Sequence, residues 1–175
     1  DGAEFAVRAV LGQQISTAAA RTLAARLVIA HGTPIEDPDG GLTHLFPDTG
    51  ALAAIDPETL AMPASRRRTL VALVEALGDG LDLGAGSDWA AARAAMSALP
   101  GFGPWTIETI AMRSLGDPDA FLPTDLGIKA AAAALGLGGP SAVAARSAAW
   151  RPWRAYATQH LWATGDHAIN RMPAA

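Results

Sequence analysis

The sequence predicts an all-α fold, a compact helical domain. Three observations carry that expectation. Ala-rich stretches place apolar residues three and four apart from end to end, period-two runs of Val, Ile, Thr and aromatics are missing, and Gly or Pro punctuates the stretches at helix-length intervals. With 175 residues, 50% of them apolar, the chain can build one core; a domain of this size buries about 70% of its unfolded surface.

The first helix is expected over roughly Ala3 to Gly12. After the polar break Gln13-Gln14, Ser16 caps a second that runs to about Ala30 and closes at His31-Gly32. From Thr33 to Thr49 the density of Pro, Gly and Asp marks a long loop. Thr49 caps a short helix over Gly50 to Ile55, and Asp56-Pro57-Glu58 starts another, with Pro at the first helical position and an acid in the first turn. A longer helix spans about Ala64 to Leu77. The break from Gly78 to Ser87 ends it, and Ser87 or Asp88 caps a helix to Leu99. Helices near Pro104 to Leu115, Asp125 to Leu135, Ser141 to Trp150 and Pro152 to Thr164 complete the set. The break after Leu77 has ordinary loop length and implies no domain boundary, and no fixed-period repeat is present.

Composition removes several classes of function. Without Cys there is no disulfide, no iron–sulfur cluster, no thiolate zinc site and no cysteine nucleophile. A net charge of −4 argues against a basic coat for nucleic acid and leaves a local basic face as the alternative. Neither a membrane span nor a signal peptide is visible. The chain begins at Asp1 rather than at Met, which suggests a processed, truncated or excised segment of something longer and leaves room for a missing N-terminal domain before residue 1. No GxSxG, P-loop or dinucleotide glycine motif occurs. His160 and His167, with Asp166 beside the second, lack zinc spacing, and Asp79, Asp82 and Asp88 miss the calcium-loop alternation, so packing, surface and loop roles are assigned to them.

The informative segment is LPGFGPWT, Leu99 to Thr106. Gly101 and Gly103 permit a tight hairpin with positive φ, and Pro104 is preset for the first helical turn. Bare backbone N–H groups at such a helix N-terminus bind a phosphate oxygen without Lys or Arg. The same pattern also fits an ordinary helix–helix turn. Further on, FLPTDLGIK (Phe121 to Lys129) sets Asp125 at a helix start, where the N-terminus favours its negative charge. By itself Asp125 is either a structural N-cap or a catalytic carboxylate.

Three more segments accompany this pair in order and spacing: FAVRAVLGQQIS (Phe5 to Ser16), MPASRRRTL (Met62 to Leu70) and WRPWRAYATQHLW (Trp150 to Trp162). Together they resemble the helix-hairpin-helix DNA glycosylases, in particular the 3-methyladenine DNA glycosylase II branch, over nearly the whole chain. The resemblance implies that residues 1–175 form a glycosylase core of two helical lobes with a cleft between them. It further implies a monofunctional enzyme of base excision repair. Such an enzyme flips out an alkylated purine such as 3-methyladenine and hydrolyses its N-glycosidic bond, leaving an abasic site; extrusion costs a few kcal/mol, less for a damaged base.

Residue roles follow from the same resemblance. Asp125 stabilises the oxocarbenium-like sugar or orients the attacking water. Trp105, Trp162 and Thr109 line the base pocket, where indole faces suit a flat, positively charged purine by about 0.5–2 kcal/mol. Trp105 also stands where relatives that nick the backbone carry a Schiff-base Lys, so no nicking is expected. Gln14, with Gln13 beside it, holds the place of the side chain that fills the emptied stack; a polar interhelix turn is the plain alternative. Amides of Gly101, Gly103 and Thr106 contact phosphate, and carbonyls of Ser97, Leu99 and Phe102 match those that hold a monovalent cation, Na+ or K+. Arg66, in the run Arg66-Arg67-Arg68, is either a phosphate contact or part of a solvated surface cluster. Trp89, Trp150 and Trp153 are assigned to structure.

No cofactor is required on this reading, and neither an iron–sulfur cluster nor zinc is expected. The expected partner is double-stranded DNA containing a damaged base, with no membrane involved. A monomer acting in the cytoplasm, at the nucleoid of a bacterium, is implied. Rival readings are a non-catalytic helix-hairpin-helix DNA-binding module, a helical packing domain of a larger protein, and a glycosylase for uracil, mispaired thymine or hypoxanthine. Asp125 favours an enzyme over the binding module, which has no use for a carboxylate facing the DNA sugar.

Overall fold

Helix α1 (Gly2–Leu11) is the centre of the architecture. The Asp1 carboxylate caps it by accepting from the Glu4 amide, and Ala6, Val7, Ala9, Val10 and Leu11 are buried. The buried face packs against α4 (Ala64–Gly78) and α6 (Pro104–Arg113). The computed structural model describes residues 1–37 and 39–164. Helix α2 (Thr17–His31) starts on Ser16, whose hydroxyl accepts from the Ala19 amide, and buries only Ala24 and Leu27, so it lies on the outside of the fold.

The segment expected as a loop after α2 contains a two-residue antiparallel pair. Strand β1 (Thr33–Pro34) pairs with β2 (His44–Leu45), Thr33 opposite Leu45. Pairs this short carry no hydrophobic period and are invisible to patterning. The all-α class stands.

Several boundaries move for local reasons. Helix α3 (Thr49–Ala53) is capped by Asp48, not Thr49: the Asp48 carboxylate accepts from the Ala51 amide at 2.8 Å, which makes Thr49 the first helical residue. The start signal Asp56-Pro57-Glu58 yields one 3₁₀ turn, Pro57–Thr59. The chain turns extended at Leu60, and Pro63 disfavours a helical Met62. Helix α5 (Trp89–Ala98) takes Asp88 as its cap, one carboxylate oxygen serving the amides of Ala90 and Ala91. Helix α7 (Leu126–Ala134) begins on Asp125. The helix expected from Ser141 to Trp150 is instead α8 (Pro140–Arg146) followed by a 3₁₀ turn over Ser147–Trp150, where the Ser147 hydroxyl takes the Ala144 carbonyl. Helix α9 (Arg154–Ala163) starts two residues later than expected, with Pro152 outside it.

Buried side chains gather in two clusters. One joins α1, α4, α5 and α6 through Val7, Val10, Leu73, Met96 and Ile110. The other joins α7, α8 and α9 through Ile128, Ala132, Val143 and Leu161. Trp162 packs against both. Ion pairs clamp the connection between α6 and α7. Arg93 makes two bonds to Glu108 and one to Asp117, and Glu108 also accepts from the Phe121 amide. The hydrogen bonds that Arg93 donates to Glu108, with help from Asp117 and against partial desolvation, hold its guanidinium above its ordinary value. Arg154 on α9 grips Asp119 with two bonds, and Arg151 adds a third contact. No described helix is long and apolar enough to cross a membrane.

Candidate active site

The turn between α5 and α6 is a hairpin in which only Gly101 has positive φ, at +79°. A Cβ there would also stand 2.1 Å from the Thr69 hydroxyl, so α4 presses directly beneath the turn. Gly103 departs from expectation: its φ is −91°, and a Cβ on it would meet nothing within 4 Å. The hairpin itself does not need glycine at 103. Helix α6 opens with Pro104, and its first hydrogen bond runs from the Ile107 amide to the Gly103 carbonyl. Among the described residues, the amides of Gly101, Gly103, Trp105 and Thr106 donate to no protein acceptor. The carbonyls of Ser97 and Phe102 accept nothing, and that of Leu99 accepts only from the Phe102 amide.

Next to the hairpin is the turn between α1 and α2. Gln14 is exposed and has φ +58°, the only positive value at a non-glycine among the described residues. Such a conformation persists where neighbours hold it. Gln13 supplies the hold: its Nε2 donates to the Gly101 carbonyl at 3.1 Å and to the Thr106 hydroxyl at 3.2 Å, while the Arg66 guanidinium donates to the Gln13 carbonyl.

This corrects the sequence reading of Arg66. It is not part of a solvated surface cluster, being 8% exposed with its guanidinium directed at a backbone carbonyl. Arg67 is committed as well, to the Met62 carbonyl and to Glu58, and only Arg68 of the three is exposed. Thr106 has a buried side chain with its amide still available, and Gln13 is a tie between two turns.

On the other side of α6, three donors converge on one carboxylate. Asp125 caps α7, with Oδ1 accepting from the Ile128 amide at 3.0 Å and from Trp162 Nε1 at 2.7 Å. Oδ2 accepts from Trp105 Nε1 at 2.9 Å. The two tryptophans expected in a pocket therefore turn their N–H edges toward Asp125. Thr109 is buried one turn along α6, its hydroxyl bonded back to the Trp105 carbonyl at 2.7 Å. The Arg113 guanidinium lies 5.7 Å from the Trp162 ring centre and donates to Gln159.

Two participants escaped the sequence reading. Thr69 under the hairpin left no signal. Gly127 did: a glycine two residues after a cap, in an otherwise Ala-rich helix, is a mark of close approach. His160 is exposed, while Asp166 and His167 lie outside the described residues. Among the described residues, no group of three His, Asp or Glu is placed to hold a metal.

No protein-family model matches the chain. It is 58% identical, over 99% of its length, to the probable bifunctional transcriptional activator/DNA repair enzyme AlkA of Mycobacterium tuberculosis, of which it spans 35%. It is 34% identical over 94% of its length to DNA-3-methyladenine glycosylase 2 of Escherichia coli, of which it spans 58%. Among solved structures, the 3-methyladenine DNA-glycosylase from Archaeoglobus fulgidus superposes with a TM-score of 0.76 at 22% identity, over 93% of this chain and 57% of that one. The Schizosaccharomyces pombe 3-methyladenine DNA glycosylase, in complex with abasic DNA, does so with 0.70 at 22% identity, over 98% and 84%. These two share the fold. On the sequence relatives, and with a hairpin and capped carboxylate arranged as described, the chain belongs to the helix-hairpin-helix DNA glycosylase superfamily, in its 3-methyladenine DNA glycosylase II branch.

Proposed function

We propose that the chain is the catalytic core of a monofunctional DNA glycosylase that removes alkylated purines from duplex DNA. The observation that carries the reading is the Asp125 carboxylate, held by two indole N–H groups and one amide. Three donors occupy only part of its acceptor capacity, so lone pairs remain for a sugar. As the bond between C1′ and the base nitrogen breaks, its electron pair leaves with the base and positive charge gathers on the sugar. Asp125 stabilises that charge while water adds to C1′. No amine stands at position 105 to form a Schiff base, so the product is an intact strand with an abasic site.

Binding is assigned to the hairpin. Four unpaired amides at the start of α6 would take phosphate oxygens, and the open space beside Gly103 lets a backbone come close. The carbonyls of Ser97, Leu99 and Phe102 would hold a monovalent cation that raises the local positive potential. Gln14, exposed and conformationally strained, is the side chain that fills the emptied stack. Faces of Trp105 and Trp162 bound the pocket for a flat cationic base. The chain acts as a monomer on the nucleoid, in the cytoplasm.

The test is release of free base from methylated duplex DNA, followed by a separate alkali step. The expected result is release by the wild type, none by Asp125→Asn, and strand breakage only after alkali. No release, with salt-sensitive DNA binding that Asp125→Asn leaves intact, would move the reading to another lesion or to a pure binding module.

A further inference from the structure

Gly127 lies in the first turn of α7, two residues after Asp125. Glycine weakens a helix relative to alanine, and the backbone here needs no glycine, since 127 is not among the positive-φ positions. Space is what demands it. A Cβ on Gly127 would stand 2.9 Å from Cδ1 and 3.1 Å from Nε1 of Trp162, and 3.1 Å from Asp125 Oδ1. The ring it meets is not the loose end of a flexible side chain. The indole is fixed by its 2.7 Å bond to Asp125, by the Arg113 guanidinium over its ring, and by α9 packed along α7. A side chain at 127 makes the ring or the carboxylate give by a few tenths of an ångström, and the bond between them is the contact it strains.

We propose that Gly127 is a positioning residue for the glycosylase reaction: its missing side chain lets the Trp162 indole seat on the first turn of α7 and hold Asp125 in line with the sugar. The role rests on the reading of Asp125 as the catalytic carboxylate. One small residue thereby sets both the aim of the acid and the position of the pocket wall.

The experiment is Gly127→Ala, read three ways. Base release from methylated duplex should fall about 10-fold in kcat, with duplex affinity unchanged. The Trp162 indole N–H resonance in a ¹H–¹⁵N spectrum should move toward the position of an indole without a carboxylate partner. Thermal stability should fall far less than the rate, because alanine as the better helix former offsets part of the strain on the ring. In a double-mutant cycle, Gly127→Ala should cost far less on top of Trp162→Ala, which removes the ring, than it costs in the wild type. A wild-type rate, an unmoved indole signal, or additive losses would overturn the proposal. Should Gly127→Ala not fold, the pair Gly127→Ala/Trp162→Ala, with the ring removed, must fold; failure of both would also overturn it. If the wild type releases no base, the glycosylase reading fails separately, and the indole resonance still decides whether Gly127 seats the ring.

Discussion

The hairpin corner and the carboxylate corner flank the same helix, α6, and are held in opposite ways. Around Gly101 the holding groups are buried or, for Gln13, half-buried, and act on the backbone or on one another: Gln13 on the Gly101 carbonyl, Arg66 on the Gln13 carbonyl, Thr69 beneath the turn. Around Asp125 they are indole N–H groups on a charged oxygen, with Trp105 37% exposed and the acid half-buried. The first arrangement is framework, so its loss should appear as stability and as DNA affinity of every kind. The second is a charge held in a partly solvated place, so its loss should appear as rate. On the proposed function, the difference also bears on how a chain of net charge −4 would anchor a polyanion. Arg8, Arg67, Arg93, Arg151 and Arg154 are paired with acids of the protein, and uncharged amides at the hairpin would share the anchoring.

The largest expected effect is on the carboxylate side. Asp125→Asn should lower base release by about 10²–10⁴-fold. Urea unfolding should change by no more than about 1–2 kcal/mol, because Asn caps a helix nearly as well as Asp. Equal losses of rate and stability would erase the contrast. On the hairpin side, Arg66→Ala should cost about 2–4 kcal/mol in unfolding free energy by leaving a cavity and an unsatisfied carbonyl, with base release per folded molecule within a few-fold of wild type. Gln13→Ala should cost less, about 1–2 kcal/mol. It should also weaken binding to damaged and undamaged duplex alike, as titrations at two salt concentrations would show. Selective loss for damaged DNA would place Gln13 with the base pocket instead.

The smallest effect lies outside both corners. Hydrogen bonds from Arg154, opposed by slight desolvation and aided by the Arg154 and Arg151 charges, hold the Asp119 carboxyl below its ordinary value of 3.8. A depressed folded-state value means the contribution is complete above pH 3.8 and is lost as pH falls through the lower folded value. Wild type and Asp119→Asn should therefore differ in stability at pH 6 and converge in strong acid, as unfolding curves across that range would report.

Much of the site's position was legible in the chain. Pro104 after a glycine-rich turn, and Asp125 after Pro123, announce two helix starts with their caps, and the structure places both helices there. Ser16 is read the same way, and of the two caps the sequence offers to α5, Ser87 or Asp88, the structure takes Asp88, since a cap bonds an amide two or three residues away. Asp48 was misread because a carboxylate and a hydroxyl stood next to each other and both fit the rule. Arg66 was misread for a deeper reason. In sequence it is one of three arginines at an exposed-looking helix start, and only the approach of the α1–α2 turn gives its guanidinium a buried carbonyl.

What the chain determined by itself is the helical class, the order of the helices and, within a residue or two, where each begins, because those depend on bonds spanning three or four positions. What only the tertiary structure decided is which side chains serve the site. Gln13 meets Gly101 and Thr106 across 88 and 93 positions, and Trp162 reaches Asp125 across 37. Such meetings depend on how α1, α4, α6, α7 and α9 close around their cores, and on a missing methyl group at Gly127 that leaves room for an indole.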